Sequence, residues 1–356
     1  MKEPSLLGYG VSSYRSCSPK THLMFLKTHK TGSTTVQNIL FRYADGNNLS
    51  VALSRTGSIH LGYPQLFSED FVKRSETGQK FDIMANHLKF NLPEISKVMH
   101  YDTFYFSIIR NPIFLAESSS VYFNTLNGAK DLNEYMKSPM SYYDPSNVFS
   151  FLAKNSMWYD FGFDHNHKNE AEYFELAIGQ IESAFHLILL SEYFDESMIL
   201  LKEVLCWNMD DVIYFKLNGR SRATIQNLNW ETIEKLKVWN SLDWKMYLHF
   251  NKTFWRTISK VVGLKRLEKE VQLLKQKQKD LLNICVQGGT ALRPHEIMNS
   301  VFKPLQVGNS EILGYNLRTG LKNNVHKQCE SMILPEPEFT QQIYEKQYHK
   351  KVKLHV

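Results

Sequence analysis

No run of about 18 apolar residues occurs in this 356-residue chain, which excludes a membrane-spanning helix within it. The opening MKEPSLLGYG lacks the basic-then-apolar layout of a secretory leader. As given, the chain reads as soluble, with an anchor or signal upstream left open. Cysteine is scarce, and none of Cys17, Cys206, Cys285 and Cys329 forms a C-x-x-C pair. That spacing argues against zinc, and it leaves either four thiols or two disulfides in one of three pairings. There is no dense block of one charge: 42 Lys and Arg against 36 Asp and Glu give a net +6. This mild bias suits an anionic ligand and not a nucleic-acid partner. Internal repeats and low-complexity linkers are also missing, so one domain with appendages is the simplest parse.

What is present is core material, 43% apolar and 13% aromatic residues. The run 22–27 (HLMFLK) is followed by a polar loop and then by Val36, Ile39, Leu40 and Tyr43, the stripe of an amphipathic helix. Further buried-strand candidates are FDIMA at 81–85, TFYFSII at 103–109, HLILLS at 186–191 and VIYFK at 212–216. Strands separated by helices predict an α/β fold, a central mostly parallel sheet flanked by helices. We place an N-terminal extension at 1–20 and a single domain at 21–340, with loop insertions around 111–180. A long amphipathic helix is expected at 261–284, and a basic, solvated tail at 341–356. Sequons at Asn48 and Asn251 lean toward a secretory compartment.

The stretch FLKTHKTGSTT, Phe25 to Thr35, carries the chemistry. A loop that leaves a strand and opens a helix presents unpaired backbone N–H groups and the positive end of the helix dipole, so its guest is an anion. Gly32 lets the backbone come close, while Ser33, Thr34 and Thr35 add hydroxyls and Lys27 and Lys30 add charge. An NTP-binding P-loop runs G-x-x-x-x-G-K-[ST], with the lysine after the glycines. Here Lys30 precedes Gly32. Such a lysine can neutralise a departing phosphate without a metal ion.

KTHKTGSTT resembles the 5′-phosphosulfate loop of Golgi carbohydrate sulfotransferases, which use 3′-phosphoadenosine 5′-phosphosulfate as sulfuryl donor. FYFSIIRNPIFLAESSS fits the second signature of that family, Arg110 and Ser118 on the donor's 3′-phosphate. ANHLKF, FDES, LCWNMDDV, ICVQGG and LGYNL extend the similarity, which is strongest to galactose 3-O-sulfotransferases. The resemblance implies a P-loop-type sulfotransferase fold and donor contacts from Lys27, Lys30, Thr31, Gly32, Ser33, Thr34, Thr35, Arg110 and Ser118. It also implies a galactose-terminated glycolipid or glycan acceptor and a place in the Golgi lumen. Family members are anchored in the membrane, and no anchor is seen here.

Sulfuryl transfer to a sugar hydroxyl needs a base near neutrality, and histidine suits. His87 follows FDIMA at the sheet end where the other two motifs also lie. His29, inside the loop between two lysines, is the alternative. Arg220, in FKLNGRSR with Arg222, can join the 3′-phosphate site, and the aromatic block Trp158 to His167 can face the sugar. Two other readings remain: a catalytically silent nucleotide- or glycan-binding protein on this fold, and a small-molecule kinase that would need magnesium.

Overall fold

The computed structural model describes residues 17–74, 78–168 and 170–348. Their order is β1 (Leu23–Leu26), α1 (Ser33–Asn47), β2 (Ile83–Met84), the single turn α2 (Leu92–Ile95), β3 (Phe104–Ile109), α3 (Pro112–Tyr122) and the single turn α4 (Leu132–Tyr135). There follow α5 (Ser156–Asp160), α6 (Ala171–Ala184), β4 (Leu187–Leu190), α7 (Phe194–Leu205) and α8 (Trp230–Trp239). The chain then runs through α9 (Ser241–Val261), α10 (Leu264–Cys285), α11 (Asn323–Ile333) and α12 (Glu336–Tyr348). The strands form one sheet in the order β2-β1-β3-β4, every pairing parallel. All sixteen strand residues are buried, as expected of a parallel sheet shielded by helices. Parallel strands aim their C-terminal ends the same way, so the loops after β1, β2 and β3 open on one edge.

Four of the five expected strands are in the sheet. The fifth, 212–216, is not: a 3₁₀ turn covers Met209–Val212, and the chain beyond it is extended but unpaired. Its side chains Ile213 and Phe215 are buried, which made it read as a strand. Its backbone is satisfied by α1 instead of a neighbouring strand, because Arg42 Nη2 donates to Ile213 O (2.5 Å) and Leu217 N donates to Thr35 Oγ1 (3.1 Å).

The expected long helix is α10, separated from α9 by Gly263 at φ 79°. Leu267, Val271 and Leu274 are buried, and α10 packs on α7 within the same domain. The 341–356 tail needs correction. Residues 341–348 continue α12, whose Phe339, Thr340, Ile343 and Tyr344 are buried as it packs on α1. Gln347 adds a reciprocal pair of hydrogen bonds to the backbone of Val51 (2.8 and 3.0 Å). The apolar stripe of α12 outweighs its basic neighbours, so the domain reaches at least Tyr348; 349–356 lie outside the described residues. Within 1–20, Lys20 N donates to Leu205 O (2.9 Å), and 1–16 lie outside the description.

The cysteines pair Cys17–Cys206 and Cys285–Cys329, across 189 and 44 residues. The second bridge ties the end of α10 to α11. In the chain-entropy account, closing a loop of that size contributes about 4 kcal/mol. Cys285→Ser with Cys329→Ser is therefore expected to lower the urea midpoint markedly; an unchanged midpoint would show that the bridge adds nothing to stability.

Candidate active site

The loop after β1 is held shut by its own hydroxyls. Thr28 Oγ1 donates to Ile108 O on β3 (2.5 Å), Thr31 Oγ1 lies 2.8 Å from Thr28 Oγ1, and Ser33 Oγ donates to Thr28 O (2.6 Å). Thr35 Oγ1 accepts from Leu217 N. Among the loop hydroxyls expected to grip an anion, only that of Thr34 has no partner among the described residues. Thr31 does not line the cavity, whereas Gly32, Ser33, Thr34 and Thr35 do. Ser33 and Thr31 brace the loop, so anion binding falls mainly to backbone, cations and the hydroxyls of Thr34 and Thr35. Gly32, at φ 80°, starts α1 with no side-chain cap, leaving the helix N-terminus open. A Cβ here would lie 3.2 Å from the Phe194 ring in a backbone conformation that disfavours one, so glycine is required twice over.

The helix end faces a cavity of about 610 Å³ lined by Lys27, Lys30, Arg110, Lys216 and Arg220 but by only two carboxylates, Glu192 and Glu336. Lys30 has φ 55°, a left-handed conformation pinned by Arg110 Nη1 donating to its carbonyl (2.8 Å). Its ammonium lies 3.4 Å from the centre of the Tyr122 ring. Burial, with repulsion from Arg110, Arg220 and Lys27, brings the Lys30 pKa down to about 7. A buried lysine whose proton is loosened by three neighbouring cations marks a site short of an anion.

Arg220 pairs with Glu117 of α3 (2.5 Å), while its Nη1 is buried without a partner. Ser118, the neighbour of Glu117, also lines the cavity. Thus Arg110, Ser118 and Arg220 meet on one wall, with the R-x7-S spacing spanning the β3 end and the first two turns of α3. Arg222 is exposed and stands outside the cavity.

Imidazoles also line the cavity. His87 follows β2, and its Nδ1 donates to Lys27 O (2.8 Å), which leaves Nε2 as the basic nitrogen. Lys27 Nζ donates to that Nε2 (2.9 Å) and to Glu336 Oε2 of α12 (2.9 Å). Burial first, then Lys27, His29 and His60, push His87 well below the ordinary histidine range, so it is neutral. The His29 ring stacks on His87 with centroids 4.2 Å apart. Its Nδ1 is 3.1 Å from both carboxylate oxygens of Asp160, which also accepts from His29 N (2.9 Å) and Tyr63 Oη (2.6 Å). Asp160 ends α5, whose first turn is capped by the buried carboxylate of Asp243 through Trp158 N (2.7 Å). Burial raises the Asp243 pKa to about 7.

A family profile described as Galactose-3-O-sulfotransferase matches residues 2–347. The chain belongs to the galactose-3-O-sulfotransferase family. It is 44% identical over 339 residues to human (Homo sapiens) galactose-3-O-sulfotransferase 2, covering 94% of this chain and 85% of that one. The similarity to mouse (Mus musculus) galactosylceramide sulfotransferase is 35% over 331 residues, 91% of this chain and 78% of the other. In this galactose-3-O-sulfotransferase family member, Trp158 to His167 do not line the cavity. Trp158 is fully buried and stacks on Phe174, Phe161 is buried too, and the other aromatics of the block are half-buried outside the cavity; what the block gives the site is Asp160. The sequence reading missed Asp160, Glu117 and Glu336. Glu117 alone had a local signal, its place beside Ser118.

Proposed function

We propose that this chain moves a sulfuryl group from 3′-phosphoadenosine 5′-phosphosulfate to the 3-hydroxyl of galactose in a glycolipid or glycoprotein glycan. The observation that carries the reading is the uncapped N-terminus of α1 opening on a cavity with five cations and an orphaned Arg220 nitrogen. A donor with anionic groups at both ends answers both walls of that charge. Lys27, Lys30, Gly32, Ser33, Thr34 and Thr35 would hold the phosphosulfate. Arg110, Ser118 and Arg220 would hold the 3′-phosphate, while Thr31 and the Ser33 hydroxyl brace the loop.

In the reaction the galactose oxygen attacks sulfur in line with the departing phosphate. The S–O bond to that phosphate breaks, and its oxygen leaves as adenosine 3′,5′-bisphosphate beside the Lys30 ammonium. His87 Nε2 takes the hydroxyl proton as general base. In the free site Lys27 occupies that nitrogen, and donor oxygens would draw Lys27 away. One observation favours a second assignment of the base. His29 is held through Nδ1 by Asp160, and its Nε2 has no partner among the described residues. No step requires a metal ion. Two disulfides and an exposed Asn48 at the end of α1 support a Golgi lumenal setting.

The test is transfer of labelled sulfate from the donor to a panel of β-galactosides, with and without EDTA. Label on the 3-hydroxyl, undiminished by EDTA, is expected. Binding of adenosine 3′,5′-bisphosphate with no transfer to any acceptor would mark a silent binding protein, and no sulfate transfer but EDTA-sensitive label from γ-labelled ATP in a parallel incubation would mark a kinase.

A further inference from the structure

Of the two cavity carboxylates, Glu192 accepts from Asn111 N, whereas Glu336 keeps one oxygen without a donor. The donor is a polyanion, and a carboxylate repels it. Glu336 therefore marks the part of the cavity that a neutral ligand must fill. Its surroundings agree: His60 lines the cavity there with its pKa brought down to about 4 by burial, and His87 is also neutral. Pro335 and Pro337 flank Glu336 and are apolar. The carboxylate is committed on one side only, Oε2 accepting from Lys27, while Oε1 is closed off from water without a partner. An unpaired oxygen of a buried carboxylate is costly, and a hydroxyl donor would satisfy it.

From this geometry we infer that Glu336 is an acceptor-binding residue, its carboxylate accepting a hydrogen bond from a galactose hydroxyl next to the one attacked. The inference rests on the functional reading above and adds the residue that orients the sugar. When donor oxygens draw Lys27 away, Oε2 loses its donor as well, and the cavity-lining carboxylate is left without a partner on either oxygen. A sugar diol supplies the missing donors, one hydroxyl to Glu336 and the other presented to His87, the nearest base along the chain of contacts Glu336–Lys27–His87. Binding and orientation are thereby coupled. The sugar is seated only where Lys27 has been claimed by the donor, which keeps water from being presented to the sulfuryl group in its place.

The experiment is a cycle of Glu336→Gln and Glu336→Ala against a parent β-galactoside and its 2-deoxy and 4-deoxy analogues, with kcat and KM measured for each pair. Binding of adenosine 3′,5′-bisphosphate and thermal melting are followed in parallel. On the parent acceptor Glu336→Ala is expected to lose about 10- to 100-fold in kcat/KM, the range for a hydrogen bond to a charged group. Wild type should lose a similar factor on one deoxy acceptor. Glu336→Ala should lose less than threefold more on that acceptor, because the partner is already gone. Glu336→Gln keeps the shape and serves as the folded control if the alanine variant melts early. Losses that multiply for both deoxy acceptors, or a loss confined to adenosine 3′,5′-bisphosphate affinity, would overturn the assignment and leave Glu336 as a brace for Lys27. A wild-type chain inert toward every galactoside would instead remove the functional reading on which it stands.

Discussion

Lys30→Ala is expected to reduce sulfuryl transfer by about 10³-fold, with the melting temperature held or raised. The rate loss follows from removing the cation nearest the leaving phosphate, the class of electrostatic contribution that costs ~10²–10⁵ when deleted. Stability should not suffer, because Lys30 sits among Arg110, Arg220 and Lys27 and gains only the Tyr122 ring as a favourable contact. The same crowding gives a pH signature. With its pKa near 7 in the free protein, Lys30 is charged below that pH and increasingly neutral above it. A bound anion favours the charged form, so above pH 7 binding must take up a proton. Affinity for adenosine 3′,5′-bisphosphate, measured by calorimetry, should weaken above pH 7 by up to tenfold per pH unit. Lys30→Arg, which cannot deprotonate, should abolish the slope. A flat profile for wild type would show that Lys30 is not at the anion.

His87→Ala is expected to lower kcat by about 10²- to 10⁴-fold, the usual share of a general base. His87 is held well below the ordinary histidine range by burial and its cationic neighbours, so it is already a free base at neutral pH. The sign is clear: no loss of kcat through His87 protonation should appear between pH 8 and 6.5. The comparison that decides is His29→Ala. Losing the stacked neighbour should cost about tenfold or less if His87 is the base. Should His29→Ala be the deader variant, with Asp160→Asn following it, the base is His29 oriented by Asp160, and His87 serves to position Lys27.

Much of this site was legible because its parts are local. A short apolar run, a loop with Gly32 and an amphipathic stripe identify a strand, an anion loop and a helix without knowledge of their neighbours. Arg110 and Ser118 came from the family resemblance instead, since an arginine followed eight residues later by a serine is weak evidence without it. What could not be read depends on residues brought together from far along the chain. Lys27 and Glu336 are 309 positions apart, and His29 and Asp160 are 131 apart. Glu336 lies near the end of the expected domain, just before the stretch read as a basic tail, and Asp160 is surrounded by aromatics that draw attention to themselves. The hydroxyls of the loop misled for a subtler reason. Residue type shows that a group can donate, but not whether its proton is already committed to a carbonyl such as that of Thr28. The false strand at 212–216 is similar, since burial was readable and the identity of its hydrogen-bond partner was not.

The bridge between Cys285 and Cys329 bears on which part of the site gives way first. Lys30, Arg110 and Arg220 lie within the first 220 residues, but the carboxylate at Lys27 arrives on a segment that begins seven residues after Cys329. Its tether closes only where thiols are oxidised. Reducing that bridge is therefore expected to loosen α11 and the segment that carries Glu336 before the loop that carries Lys30.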